Sequence, residues 1–256
     1  MYLGFIGTGE ITKAVVLGIL KSNINFKRIY ISKRNTKHSN YLKSISSKIT
    51  ILNNNQEIVN RSKFVFLAIT PEVGKKIIKT LIFKKTHTVV SFISTIKYNE
   101  LKKNINVKCN IVRAIPLPPI SLGIGPVPIF PPNTKIKKFF NKIGKTIEIN
   151  DENLSLNFWT MSSMMAPYYE MLNFLSSWLV KKGLKKKKAE NYITSLFLGL
   201  STNADQNSFN DLKELVKKSQ TPKGLNEQAL KKLKQIHFYK KLNITSNKIL
   251  TRLKGK

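Results

Sequence analysis

The stretch Leu3-Gly-Phe-Ile-Gly-Thr-Gly-Glu-Ile-Thr-Lys-Ala14 constrains this chain more than any other. The apolar run Tyr2 to Ile6 reads as a strand, and the residues from Glu10 to about Leu20 read as an amphipathic helix. Gly7-Thr8-Gly9 joins the two. Gly7 lets the backbone turn sharply out of the strand, and Gly9 has no side chain to hold an anion away from the main chain. The first helical amides, at Glu10 and Ile11, then face that anion with the positive end of the helix dipole behind them. Strand, glycine turn and helix in this order are the pyrophosphate loop of a dinucleotide-binding fold. The third glycine of the usual fingerprint is absent; Thr12 and Ala14 are the small residues expected to pack on the sheet.

The next segments extend the same pattern. Arg28 to Ser32 reads as the second strand, followed by Lys33-Arg34-Asn35-Thr36-Lys37. In dinucleotide folds the end of the second strand meets the adenosine ribose. An acid there accepts from the 2′-hydroxyl of NAD, whereas a basic residue accommodates the 2′-phosphate of NADP. Here no acid is present, and Ser32, Lys33, Arg34 and Asn35 all offer donors, with Arg34 able to fork onto a phosphate. The expected cofactor is therefore NADPH. Further strands are expected at Ile49–Ile51, Lys63–Ala68, Thr88–Phe92 and Val107–Ala114. Helices are expected at Asn54–Arg61, at Glu72–Leu81 with Pro71 at its start, and from about Tyr98. This alternation specifies an open, mostly parallel sheet with helices between its strands.

From Arg113 to Pro132 the chain carries closely spaced prolines, which hold the backbone extended and exclude a helix. Val127–Phe130 and Lys145–Ile149 are expected as two more strands around a helix at Lys135–Ile143. After Asp151 helical periodicity takes over. Helices are expected at about Glu152–Met165, Pro167–Lys181, Lys187–Ser201, Phe209–Lys218, Leu225–Ile236 and Tyr239–Lys254. The chain thus divides into residues 1–150, an α/β Rossmann-type doubly wound sheet, and 151–256, an all-helical domain. One helix alone carries Tyr168, Met171, Leu172, Phe174, Leu175, Trp178 and Leu179. That is more apolar surface than a small helical layer buries, which points to a second subunit.

Composition sets the remaining bounds. Lysine and arginine total 45 against 13 acidic residues, a formal net charge of +32. The lysines scatter along the whole chain, and Ile, Asn and Lys are plentiful together, as compositional drift in an AT-rich genome produces. The expectation is a solvated basic surface rather than a dedicated nucleic-acid function. The single cysteine, Cys109, excludes an internal disulfide and lies in an apolar run, as an inert buried thiol does. His38, His87 and His237 have no metal-ligand spacing, so no metal is expected, and surface or packing roles are assigned to each. No apolar run is long enough to span a bilayer and no leader is visible, so a cytoplasmic protein without membrane association is expected.

Seven segments together resemble the pyrroline-5-carboxylate reductase family over essentially the whole chain. They are Gly4-Phe-Ile-Gly-Thr-Gly9, Ser32-Lys-Arg-Asn35, Leu67-Ala-Ile-Thr-Pro71, Ser91 to Thr95, Arg113-Ala-Ile-Pro116, Ser163-Met-Met-Ala-Pro-Tyr-Tyr169 and Thr221-Pro-Lys-Gly224. The resemblance implies a Rossmann domain followed by a helical dimerisation domain that completes the substrate site, in a homodimer or an assembly of dimers. It extends the cofactor site, already containing Gly7, Thr8, Gly9, Glu10, Ile11 and the Ser32–Asn35 loop, to Ala68, Ile69, Thr70, Pro71, Ser94 and Pro116. It assigns substrate binding to Ser163, Thr221, Lys223, Gly224, Leu225, Glu227 and Gln228. Asn226 stands where the family carries a threonine near the imine, and is the candidate catalytic residue. Lys223 replaces a glycine of the family turn, Leu117 replaces an amide, and Met164 and Met165 fill a run of small residues.

The implied reaction is NADPH-dependent reduction of a cyclic imine carboxylate, with 1-pyrroline-5-carboxylate converted to proline. Two other readings remain open at this point. One is reduction of a different imine or a carbonyl on the same scaffold. The other is a non-catalytic nucleotide-sensing scaffold that kept the cofactor loop.

Overall fold

The computed structural model describes residues 1–105, 107–206 and 211–255. The chain divides into two compact units, Met1–Trp159 and the residues from Thr160 onward.

The first unit alternates strands and helices. In order they are β1 (Tyr2–Ile6), α1 (Glu10–Lys21), β2 (Arg28–Ser32), α2 (Thr36–Ile45), β3 (Ile49–Leu52), α3 (Asn55–Arg61), β4 (Phe64–Leu67), α4 (Pro71–Ile77), β5 (Thr88–Ser91), α5 (Tyr98–Ile105), β6 (Asn110–Ala114), β7 (Pro126–Phe130), α6 (Thr134–Phe140) and β8 (Lys145–Glu148). Among the described residues these eight strands form one sheet in the order β3-β2-β1-β4-β5-β6-β7-β8. Every neighbouring pair is parallel except β6 with β7. The chain moves outward from β1 to β2 and β3, then returns to place β4 on the other side of β1. That reversal opens a crevice beyond the carboxyl ends of β1 and β4, where such folds bind ligands.

The strands are apolar throughout because both faces are covered. Alternation decides which cluster each residue joins. Leu3, Phe5, Ile29, Ile31, Phe64 and Phe66 pack on one face with Val15, Ile19 and Phe140. Ile6, Tyr30, Val65 and Leu67 pack on the other with Ile58, Ile78 and Ile93. Phe5 and Phe66, opposite each other in the β1–β4 register, stack with ring centroids 4.4 Å apart.

Two local features depart from the sequence expectation. The proline-rich segment is not wholly extended: Pro118–Leu122 makes a 3-10 turn. The fixed φ of proline excludes the interior of an α-helix but suits the start of a tight turn. Its Ile120 carbonyl lies where a Cβ on Gly18 would be only 2.4 Å away, so α1 and this turn meet through glycine. The second departure is α2, which arises in the basic stretch after β2 and is capped by the Asn35 side chain accepting from the His38 amide.

Beyond the sheet, a short 3-10 turn at Glu152–Leu154 leads into α7 (Ser155–Ser162) rather than one helix from Glu152 to Met165. The helices of the second unit follow: α8 (Met165–Lys181), α9 (Lys186–Gln206), α10 (Leu212–Lys218), α11 (Leu225–Gln235) and α12 (Phe238–Leu253). Pro167 sits inside the first turn of α8 rather than at its first position, and Gly183 ends the α8 segment with φ +97°. The helix expected at Phe209–Lys218 begins at Leu212, and its Phe209 lies outside the described residues. α8 and α9 pack through Tyr168 on Phe197. Phe174, Trp178, Tyr192 and Leu198 nevertheless each stay more than half exposed on the single chain. No helix among the described residues is long and apolar enough to cross a membrane.

Candidate active site

The glycine turn is held from within. Gly7 leaves β1 with φ +96°, and a Cβ there would stand 2.2 Å from the Ala68 carbonyl oxygen. Both the left-handed turn and the close approach of the chain after β4 therefore require glycine. The Gly7 N–H donates to Ser32 Oγ at 3.0 Å, the Thr8 hydroxyl donates to the Ser32 carbonyl at 2.5 Å, and the Thr12 hydroxyl donates to the Gly7 carbonyl at 2.7 Å. With the Thr8 proton used on that carbonyl, the Ser32 hydroxyl proton turns to Thr8 Oγ1 at 3.1 Å. Thr8, Thr12 and Ser32 are all buried. Ser32 thus braces the loop, and its hydroxyl is not the outward-facing donor expected from the sequence.

Outside this brace the loop is open. Gly9 caps α1 with no side chain, and a Cβ built on it meets nothing within 4 Å. The first amides of α1 have no intrahelical acceptor. Room at the anion position together with unpaired donors fits a pyrophosphate. A cleft of about 480 Å³ runs along Gly7, Thr8, Gly9, Arg34, Asn35, Thr36, Lys37, Ala68, Ile69 and Thr70. A second, of about 410 Å³, runs along Ile6, Gly7, Ser32, Lys33, Arg34, Thr36, Asn53, Asn55, Ile69 and Ile77. Gly7, Arg34, Thr36 and Ile69 border both, and no Asp or Glu lines either. Most of the expected cofactor residues are therefore brought together. Glu10 and Ile11 follow at the start of α1, and Pro71 opens α4.

Asn35 has a different local task from the one expected. Its Oδ1 accepts from the His38 amide at 3.1 Å, capping α2, and its Nδ2 lies 3.2 Å from His38 Nδ1. His38 is buried, with Nε2 2.9 Å from Glu10 Oε1 and Nδ1 3.3 Å from the Thr8 carbonyl. The packing or surface role assigned to it from sequence understates this position between loop and helix. The local signal reaches only the cap, where an Asn accepts the amide of the third residue after it; nothing nearby in sequence points to Glu10. His87, by contrast, is a packing residue, with Nδ1 accepting from the Lys84 amide and its ring edge-on to Phe83.

Ser94 and Pro116 stand after β5 and β6. Ser94 is held by Arg113, a residue that the sequence marked only as part of a matching segment, with no role assigned. Arg113 Nη2 donates to the Ser94 carbonyl at 2.7 Å, and Nη1 donates to Glu152 Oε1 at 2.5 Å. The same carboxylate oxygen accepts the Tyr98 amide at 2.6 Å. The Arg113 and Glu152 side chains are only 7 % and 19 % exposed. Cys109 is half-buried rather than buried as expected, and burial raises its thiol above the ordinary value.

In the second unit, residues 221–228 form one turn and helix start. The Gly224 amide donates to the Thr221 carbonyl at 2.8 Å. Lys223 takes φ +62°, so a lysine holds the left-handed conformation that a glycine adopts without strain. The Lys223 amide donates to Glu227 Oε2, Gln228 Nε2 donates to the Lys223 carbonyl, and Asn226 Nδ2 donates to the Ser219 carbonyl at 2.8 Å. These side chains knit the turn to its helix. Gly224 caps α11 without a side chain. The Ser163 hydroxyl donates to the Thr160 carbonyl at 2.6 Å.

Residues 2–97 match the family described as NADP oxidoreductase coenzyme F420-dependent, and residues 153–254 match the pyrroline-5-carboxylate reductase dimerisation family. The pyrroline-5-carboxylate reductase of Haemophilus influenzae is 23% identical over 219 residues, covering 80% of this chain and 79% of that protein. That of Pisum sativum is 24% identical over 212 residues, covering 79% and 77%. The crystal structure of 1-pyrroline-5-carboxylate reductase from Streptococcus pyogenes superposes with a TM-score of 0.83 at 18% identity, covering 100% of this chain and 99% of that one. Plasmodium falciparum pyrroline carboxylate reductase with NADP bound gives 0.83 at 20% identity, covering 100% and 97%. These likenesses show a shared fold.

Proposed function

We propose that this chain, as a member of the pyrroline-5-carboxylate reductase family, reduces a five-membered cyclic imine carboxylate, 1-pyrroline-5-carboxylate to proline, with NADPH. The observation that carries the cofactor choice is the acid-free rim of Lys33, Arg34, Thr36 and Lys37 beside the open position at Gly9. Arg34 and its neighbours would hold a 2′-phosphate, which a hydroxyl alone cannot match in charge. The start of α1 would hold the pyrophosphate, and Ala68, Ile69 and Thr70 would line the cleft towards the nicotinamide end. When bound, the nicotinamide supplies a hydride to the imine carbon.

The chain's part is positioning and charge. The uncapped first turn of α11 supports a carboxylate grip by the Leu225, Asn226 and Glu227 amides, with Lys223 adding a positive charge. Asn226 already donates one amide proton to Ser219, and its second proton is available to a substrate atom. The exposed Phe174, Trp178 and Leu198, within the segment that matches a dimerisation family, support a homodimer. The test is NADPH oxidation against 1-pyrroline-5-carboxylate, its 2-carboxylate isomer, other cyclic imines and simple carbonyls. Turnover of the pyrroline carboxylate above all others is expected. Preference for another imine or a carbonyl would move the substrate, and tight NADPH binding without any turnover would leave a nucleotide-binding scaffold.

A further inference from the structure

Glu10 poses an electrostatic problem that the cofactor reading does not address. It is the first residue of α1, its side chain is 73 % exposed, and it adjoins the open anion position at Gly9. A carboxylate in a first helical turn is drawn to the same free amides that an incoming phosphate needs. Left to itself it would compete for them and repel the ligand's charge.

The structure shows what draws it aside. Glu10 Oε1 lies 2.9 Å from His38 Nε2, while Lys13 Nζ stands 3.9 Å away on its other side. A carboxylate only accepts, so the geometry assigns a proton to Nε2. His38 is anchored in turn. Its backbone amide donates to Asn35 Oδ1, and Nδ1, left as the acceptor when the proton is on Nε2, accepts from Asn35 Nδ2 at 3.2 Å beside the Thr8 carbonyl. With its side chain 11 % exposed, the imidazole is fixed between α1, the glycine turn and the cap of α2, whereas Glu10 alone would be mobile.

We infer that His38 is a positioning residue for the dinucleotide: anchored on the Asn35 cap beside the Arg34–Lys37 rim, it holds the Glu10 carboxylate off the phosphate position. The inference rests on the cofactor reading above and adds a residue to it. An exposed acid next to a phosphate loop is tolerated here because a buried imidazole holds it.

The test is NADPH binding to the full chain by calorimetry, which needs no imine turnover. His38→Ala is expected to weaken NADPH about tenfold, the scale of one lost hydrogen bond to a charged group. It should raise KM for NADPH while leaving kcat nearly unchanged. Glu10→Gln placed on His38→Ala is expected to restore binding to within about threefold, because the repelling charge is gone. His38→Gln keeps a donor for Glu10 and should bind like the unmutated protein; it also serves if the alanine variant melts early. Unaltered binding by His38→Ala, or a loss that Glu10→Gln does not restore, overturns the inference. If the unmutated protein binds neither NADPH nor NADH, this inference and the cofactor reading fall together. Binding without turnover sinks the substrate reading alone.

Discussion

The Ser32 hydroxyl accepts the Gly7 amide at 3.0 Å, so the end of β2 carries the turn that leaves β1. Ser32→Ala would leave that buried N–H without an acceptor. The expected loss is about 1–3 kcal/mol of stability, with weaker NADPH binding as the loop loosens. Urea unfolding and a cofactor titration of the same variant check it. A variant as stable as the parent would show that the brace is dispensable.

Arg34 borders both clefts at the rim. Arg34→Glu is expected to weaken NADPH by about 1–3 kcal/mol through a lost charge-assisted contact and added repulsion, with a much smaller effect on NADH. Paired titrations measure the difference. Equal affinities for both cofactors in the unmutated protein would remove the basis for assigning NADPH.

Lys223 holds φ +62°, a conformation that is strained for any residue with a Cβ. Lys223→Gly should relieve about 1 kcal/mol of strain in the turn, offset in part by the greater freedom of glycine in the unfolded chain. The same variant removes a positive charge beside the proposed carboxylate grip, so KM for the imine should rise while the melting temperature does not fall. A lower melting temperature would show that the lysine side chain contributes more to the turn than the strain removes.

Burial and the nearby Lys84 cation hold the His87 imidazole below its ordinary value of 6.5. Its Nδ1 accepts the Lys84 amide, a bond that protonation destroys. The unfolded chain therefore binds this proton more readily than the native one. Stability is complete above about pH 6.5 and falls as the pH drops below it. Melting curves between pH 7.5 and 5.5 should show that decline, and His87→Gln should flatten it.

Phe174 and Trp178 are 66 % and 52 % exposed on one helix of the single chain. Light scattering at micromolar concentration should give a dimer or a multiple of it, and Trp178→Glu should shift the mass towards monomer. A sharply melting monomer would show that these rings need no partner.

Legibility followed the range of the interaction. β4 was readable because Phe64-Val-Phe-Leu67 is apolar at every position, as a doubly covered strand must be. The Gly7 turn was readable because its chemistry lies within a few residues. Helix α2 was not: its residues are mostly polar, and its start rests on one Asn35 side chain. The Pro118–Leu122 turn escaped because proline restrains φ without choosing between extended chain and a tight turn. At the sites, Ser32, Asn35 and Glu227 were recognised as hydrogen-bonding residues, but their partners depend on backbone placement that composition does not carry. His38 and Arg113 act on residues 28 and 39 positions away, Glu10 and Glu152, contacts that no local pattern encodes.

Surface lysines in this chain can be exchanged one at a time with little penalty, but Arg113 and Glu152 cannot. Their ion pair is largely withdrawn from water, with Glu152 also holding the Tyr98 amide and Arg113 the Ser94 carbonyl, so losing either strands its partner's charge at about 3 kcal/mol. An apolar pair could replace them, yet each single step towards it passes through a damaged protein. Replacing both together should therefore cost less than the two single losses added, a coupling that the scattered lysines of the exterior do not carry.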